Sequence, residues 1–210
     1  MMHVNPVSAP AHFARLVGDP GRAYLRITPN PTTAQWRNHD YWSEVKWDLY
    51  DAYGGICNFT CHWIPRDTGS ITVEHYKPKS RYPNKAYVWS NFRLMCGTLN
   101  GRKSDYEDVL DPLRVADGTF IIAFPSLLVK PAPNLTHYMA RRVLVTIARL
   151  QLNDEGTCIK ARERYVKQYC QGLIDFAHVA REAPFIAYEL TRQGLVDAIK
   201  GIMGYPAATP

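Results

Sequence analysis

Long hydrophobic runs are missing from this chain: nothing in it approaches the roughly 20 apolar residues that a bilayer-spanning helix needs. The opening stretch, MMHVNPVSAPAHFARLVGDPG, also lacks the apolar core of a secretory signal, so the expectation is a cytoplasmic protein with no membrane partner. Cysteines are few and odd in number, five in 210 residues. In a reducing compartment that argues against a disulfide framework and leaves free thiols or a metal site. Internal repeats and low-complexity segments are absent. Acidic residues are in the minority, 19 against 25 Lys and Arg, for a net charge of +6. A basic balance suits a polyanionic partner without identifying one.

What is present is ordinary for a globular domain: 46% hydrophobic and 21% charged residues. The length allows one sizeable core, or a small catalytic unit packed on a helical one. All five tryptophans (Trp36, Trp42, Trp47, Trp63, Trp89) lie in the first half and argue for order there. Residues 1–31 hold Pro6, Pro10, Pro20, Pro29 and Pro31 and read as an arm, with a short extended piece at Ala23–Ile27. Thr32–Tyr53 reads as a helix capped by Thr32 or Thr33, striped with Trp36, Trp42, Val45, Leu49 and Tyr53, and stopped by Gly54-Gly55.

The middle of the chain changes character. Ser70–Tyr76 is rich in β-formers and is stopped by Lys77-Pro78; a second extended piece falls near Tyr87–Trp89, and a short helix around Asn100–Asp108. After the Asp117-Gly118 turn, Thr119–Phe124 reads as a strand. The remainder is helical: His137–Leu152, then an amphipathic stripe through Cys158, Tyr165, Val166, Tyr169, Cys170, Leu173, Ile174 and Ala177, then Phe185–Met203 with a kink at Gly194. The expected division is 1–31 (arm), 32–136 (catalytic region) and 137–210 (helical region packed on it), in one compact α+β unit.

Chemistry concentrates in Val73-Glu74-His75-Tyr76-Lys77-Pro78-Lys79, then Trp89-Ser90-Asn91, then Cys96 to Asp105. Phosphodiester hydrolysis needs a base for water, and His suits that near neutral pH. It also needs a cation to stabilise developing charge, and Mg²⁺ or Mn²⁺ prefers oxygen ligands such as those of Glu74 and Asn100. Adjacent strand residues point to opposite faces, so Glu74 and His75 can share a site only at a bulge or a strand end.

The sequence resembles the HNH, or ββα-metal, endonucleases: an acidic-His pair on a hairpin (Glu74-His75), a middle Asn (Asn91) and an Asn on the following helix (Asn100). The stretches VEHYKPKSRYP, VWSNFRLMC and LNGRK are similar to HNH proteins of bacterial anti-phage systems, of the Septu and retron-associated kind. Weaker likenesses follow at Leu110-Asp111-Pro112-Leu113, and at Arg149-Leu150-Gln151-Leu152-Asn153 with Arg162. The resemblance covers residues 32–170 and implies a ββα-metal core in an α+β domain, acting as a DNA endonuclease in defence. It further implies His75 as base, Glu74 and Asn100 as metal ligands, Asn91 as the residue that braces the loop and orients His75, and a regulatory ATPase or other defence protein as partner. Lys77, Lys79, Arg81, Arg102 and Lys103, beside that site, are expected to meet nucleic-acid phosphates, DNA rather than RNA.

One departure concerns zinc. The family carries two CxxC pairs; here Cys57 and Cys61 are separated by three residues, and Leu99 stands where the fourth cysteine would be. Structural zinc is almost always four-coordinate, so the expectation is a degenerate site whose thiols pack as small apolar groups, with His62 as an awkward substitute ligand. Bland readings compete elsewhere: Glu74 as a salt bridge to Lys77 or Lys79, Asn91 as a helix cap, and the basic group as a solvated face. The rival function is a non-catalytic nucleic-acid or protein-binding module with a decayed metal site.

Overall fold

A computed structural model describes residues 1–205. The last residues of the expected helical region, 206–210, lie outside the described residues. The architecture is α+β, with two small antiparallel sheets and a set of short helices around a shared core. No helix among the described residues is long and apolar enough to cross a membrane.

The N-terminal stretch is more than an arm. A π-helical turn at Ala14–Gly18 runs into α1 (Asp19–Ile27), so the extended piece expected at Ala23–Ile27 is helical instead. Pro20 lies in the first turn, where its missing N–H costs nothing. Met1 and Val17 are buried in the common core. Gly21 lets α1 approach the hairpin loop: a Cβ there would stand 2.1 Å from Tyr87 Cγ.

The helix expected over Thr32–Tyr53 is broken into α2 (Thr33–Arg37), a 3₁₀ turn at Tyr41–Val45 and α3 (Lys46–Ala52). Thr32 caps α2 in a reciprocal box with Gln35. Trp36 and Trp42 would point roughly 120° apart on one continuous helix. The break brings their ring centres to 6.1 Å. Gly54 and Gly55, at φ 58° and 73°, end the segment as the sequence suggested.

Strand β1 (Ile71–His75) pairs with β2 (Phe92–Cys96) in an unbroken antiparallel register, Ile71 opposite Cys96 through His75 opposite Phe92. The second extended piece is therefore not at Tyr87–Trp89. Tyr87 packs among Trp36, Tyr41 and Trp42 and donates its hydroxyl to His39 O, while Trp89 opens a 3₁₀ turn. β2 leads directly into α4 (Gly97–Lys103), which begins and ends earlier than the expected helix at 100–108. α3 and α4 both pack against the hairpin.

A second hairpin follows, β3 (Phe120–Ala123) with β4 (Leu128–Pro131). β3 matches the expected strand; β4 carried no signal of its own and is held by Asn153, whose amide bonds Val129 N at 2.8 Å and Val129 O at 2.9 Å. The C-terminal helices are α5 (His137–Leu150), α6 (Lys160–Cys170), α7 (Phe176–Glu182), α8 (Pro184–Arg192) and α9 (Ile199–Ile202). Cys158, Tyr165, Val166 and Cys170 are buried, but Leu173 is 70% exposed. The reason is local: α6 ends at Cys170 and Gly172, at φ 71°, turns the chain off the stripe. The helix expected over Phe185–Met203 is likewise split, near Gly194 at φ 67°.

Candidate active-site cavity

A cavity of about 560 Å³ opens beside β1. Glu74, His75 and Asn100 all line it, together with Lys79, Ser80 and Asp105 and with Thr33, Trp36, Arg37, Asp40 and Trp42. Among the described residues β1 is paired along the β2 edge alone. No bulge interrupts the ladder, and His75 is the last residue of the strand. Consecutive side chains at this strand end can therefore border one space beside the free edge, although they start from opposite faces.

His75 is 5% exposed. Its Nε2–H donates to Ala86 O at 2.8 Å, and its ring meets Trp42 and Phe92 edge to face, at 4.7 and 5.3 Å. A carbonyl can only accept, so the proton sits on Nε2 and the lone pair on Nδ1. Burial, helped by the nearby Lys79 charge, pushes its pKa down from 6.5 to about 3, so the ring is neutral at pH 7 with Nδ1 unprotonated.

Asn91 closes the loop between the strands. Its Oδ1 accepts from Lys77 N at 2.8 Å, and its Nδ2 donates to Lys77 O and Lys85 O at 3.0 and 3.1 Å. It makes no hydrogen bond to His75 itself. The carbonyl that orients His75 belongs to Ala86, the neighbour of a residue that Asn91 pins.

Glu74 is buried, 5% exposed. Its partner is Lys103, whose Nζ lies 2.5 Å from Oε1, rather than Lys77 or Lys79. The contact is an ion pair without hydrogen-bond alignment, and Oε1 has no hydrogen-bond partner among the described residues. With Oε1 spent on Lys103, Oε2 is the oxygen left for a cavity ligand. Burial raises the carboxyl pKa, and Lys103 and Lys79 oppose that rise. The Asn100 amide makes no hydrogen bond among the described residues. Glu74 and Asn100 thus place hard oxygen donors on one cavity, the donor chemistry that Mg²⁺ or Mn²⁺ takes.

The expected phosphate contacts separate. Lys103 is fully buried and bound to Glu74 and to His75 O, so it cannot serve as a surface contact. Arg102 is turned to the end of α5, donating to Leu150 O, Gln151 O and Thr157 Oγ1. Arg81 pairs with Asp105 and Glu107, and Lys77 with Glu107. Of the five, Lys79 alone lines the cavity with no ion pair among the described residues, its Nζ 5.1 Å from the Trp42 ring centre.

Comparison with protein-family models gives no match, and comparison with curated proteins gives none either.

The cysteines divide as well. Cys57 and Cys96 influence each other: the neighbouring Cys57 sulfur and burial raise the Cys96 pKa, while burial raises that of Cys57 but Cys96 and Thr60 outweigh it and bring it down to about 6. Cys61 Sγ instead approaches Asn58 O at 3.9 Å. His62 packs on Tyr165, ring centres 5.5 Å apart. Among the described residues no group of three or more His, Cys, Asp or Glu side chains stands ready to hold a metal ion. Glu74 with Asn100 falls outside that description because an amide is one of its two donors.

Sequence reading missed Trp42 and Arg37 at the cavity, and Ala86 as the partner of His75. Ala86 acts through a backbone carbonyl, which leaves no trace in residue type. Trp42 reads as one more core aromatic until the helix break places it against His75.

Proposed function

We propose that the chain is a metal-dependent phosphodiester hydrolase of the HNH type that cuts DNA. One observation supports this above the rest: the adjacent Glu74 and His75 of β1 border a single cavity with Asn100, which comes from the helix that follows β2. In this reading His75 Nδ1 takes the proton from the attacking water, with the ring locked by Ala86 O. Asn91 keeps the loop in place, Glu74 and Asn100 hold the divalent cation, and Lys79 meets the substrate phosphate. The cation would stabilise charge developing at phosphorus and on the leaving oxygen. The resemblance in the VEHYKPK and LNGRK stretches extends the proposal to the effector of an anti-phage system, held in check by a partner such as an ATPase.

The test is incubation of purified protein with plasmid DNA and with RNA, in Mg²⁺, Mn²⁺ or EDTA. Cleavage of DNA that EDTA abolishes is expected. Absence of cleavage with either nucleic acid and every metal, or cleavage indifferent to EDTA, removes the reading. The Lys103–Glu74 pair favours a rival, a binding module whose metal site survives as scaffold. Tight DNA binding with no turnover under any of these conditions would select it.

A further inference from the structure

The carboxylate that a divalent cation needs already has a cation. Lys103 Nζ is 2.5 Å from Glu74 Oε1, and it also donates to His75 O at 3.3 Å from a fully buried position. Lys79, on the cavity wall, acts on the same carboxylate as a second positive charge. The other acids that line the cavity are Asp40 and Asp105. Asp105 is paired with Arg81 at 3.3 Å, and Arg37 lines the cavity along with Asp40. With Asp105 already offset by Arg81, Glu74 and Asp40 are met by Lys103, Lys79 and Arg37, so no surplus of negative charge is left to draw in a dication. A bare dication entering here meets two ammonium groups around its one inner carboxylate. A phosphodiester anion meets those same ammonium groups as attraction.

We infer that Lys103 is a tethered counter-ion of Glu74 that keeps divalent cations out of the cavity until a phosphodiester occupies it, so that anion and cation are taken up together. The inference rests on the reading of this cavity as a phosphodiester site. Magnesium favours such sharing, because it keeps several waters and is commonly held by one or two carboxylates plus substrate phosphates. The phosphate adds the negative charge that Lys103 has cancelled. In this arrangement Lys103 is a positioning residue: it acts through Glu74 and touches no reacting atom.

The experiment measures Mn²⁺ binding by paramagnetic resonance and calorimetry on the whole chain, alone and with a phosphorothioate oligonucleotide that resists cleavage. Wild type alone is expected to bind Mn²⁺ weakly, and the oligonucleotide to tighten binding by about 10-fold or more. Lys103→Met alone should bind Mn²⁺ at least ~10-fold tighter than wild type, the scale expected on removing a unit charge at ion-pair distance. Lys103→Arg, which keeps the charge, should behave as wild type, an outcome that a packing role would not produce. Since Lys103→Met leaves a buried carboxylate unpaired, Lys79→Met serves if it fails to fold, with a smaller gain in the same direction. Wild type binding Mn²⁺ equally with and without oligonucleotide, or charge-removing variants binding no tighter, overturns the inference. Metal uptake in the expected pattern without cleavage of any nucleic acid would instead overturn the hydrolase reading and leave the counter-ion role of Lys103 standing.

Discussion

Glu74 and Arg93 stand directly opposite each other on the β1–β2 ladder, on one face of the hairpin and with opposite charges. Cross-strand neighbours of this kind ordinarily pair. Here each takes another partner, and the two pairs are built differently. Arg93 grips Asp111 through both carboxylate oxygens, at 2.9 and 2.8 Å, and its third nitrogen donates to Ser90 O and Phe92 O. Asp111 Oδ1 also accepts from Leu113 N at 3.1 Å. Glu74 meets Lys103 through one oxygen, without hydrogen-bond alignment, at the wall of a cavity. The first pair is closed on itself and can only hold the fold. The second keeps an oxygen in reserve beside a space that a ligand can enter. Saturation of donors and acceptors, rather than burial, separates the structural pair from the one available for chemistry.

Breaking the closed pair should have the largest effect. Asp111→Ala strands the Arg93 guanidinium and should cost about 3–5 kcal/mol in denaturant unfolding, as removal of one member of a buried pair does. A loss under ~1 kcal/mol would mean that Arg93 finds water or another acceptor, and the contrast would collapse.

Next in size is His75→Gln. Cleavage should fall by ~10²-fold or more, the range of general-base contributions. Because the ring is buried against Trp42 and Phe92, some stability is lost too, so turnover is to be compared at a temperature where both proteins are folded. Turnover close to wild type would dismiss His75 as base.

Glu74→Ala sharpens the comparison. Lys103 loses its partner but keeps His75 O, and water from the cavity can reach the vacated position. The stability loss should be smaller than for Asp111→Ala, on the order of 1–3 kcal/mol, while metal-supported cleavage is lost. Equal stability losses for the two variants would show the pairs to be equivalent.

Acid should act on the cavity side of the hairpin. His75 is held at a pKa of about 3 in the folded protein against 6.5 when unfolded, so between those values the unfolded chain takes up a proton that the folded one does not. Stability therefore falls as pH drops from about 6.5 towards 3, by ~1.4 kcal/mol per pH unit from this residue. His62, which burial lowers to about 3, acts in the same direction. Denaturant midpoints from pH 7 to 4 should show a shallower slope in His75→Gln than in wild type; identical slopes would contradict the burial of a neutral ring. The smallest effect belongs to Leu173→Ser, expected within ~0.5 kcal/mol of wild type because the side chain has left the α6 stripe.

Local signals in the sequence determined a good deal by themselves. The Thr32 cap, the Gly54-Gly55 stop, the first hairpin strand, the strand at 120–123 and the start of α5 all follow from residues within a few positions of one another, and so does the clustering of candidate chemistry around Glu74, His75, Asn91 and Asn100. Partner choice was a matter for the tertiary structure. Nothing local says that Lys103 lies under the hairpin instead of on a surface, that Arg102 closes the end of α5, that Asp111 answers Arg93, or that Ala86 offers the carbonyl that fixes the His75 tautomer. The second strand was misplaced for the same reason: Tyr87–Trp89 has β-forming residues, but Tyr87 is worth more packed on α1 and the 41–45 turn, and Trp89 on Phe13, than in a ladder. A charge or a ring has the same propensity wherever the chain carries it; what it binds depends on which other segments arrive beside it, and that is set by packing across the whole core.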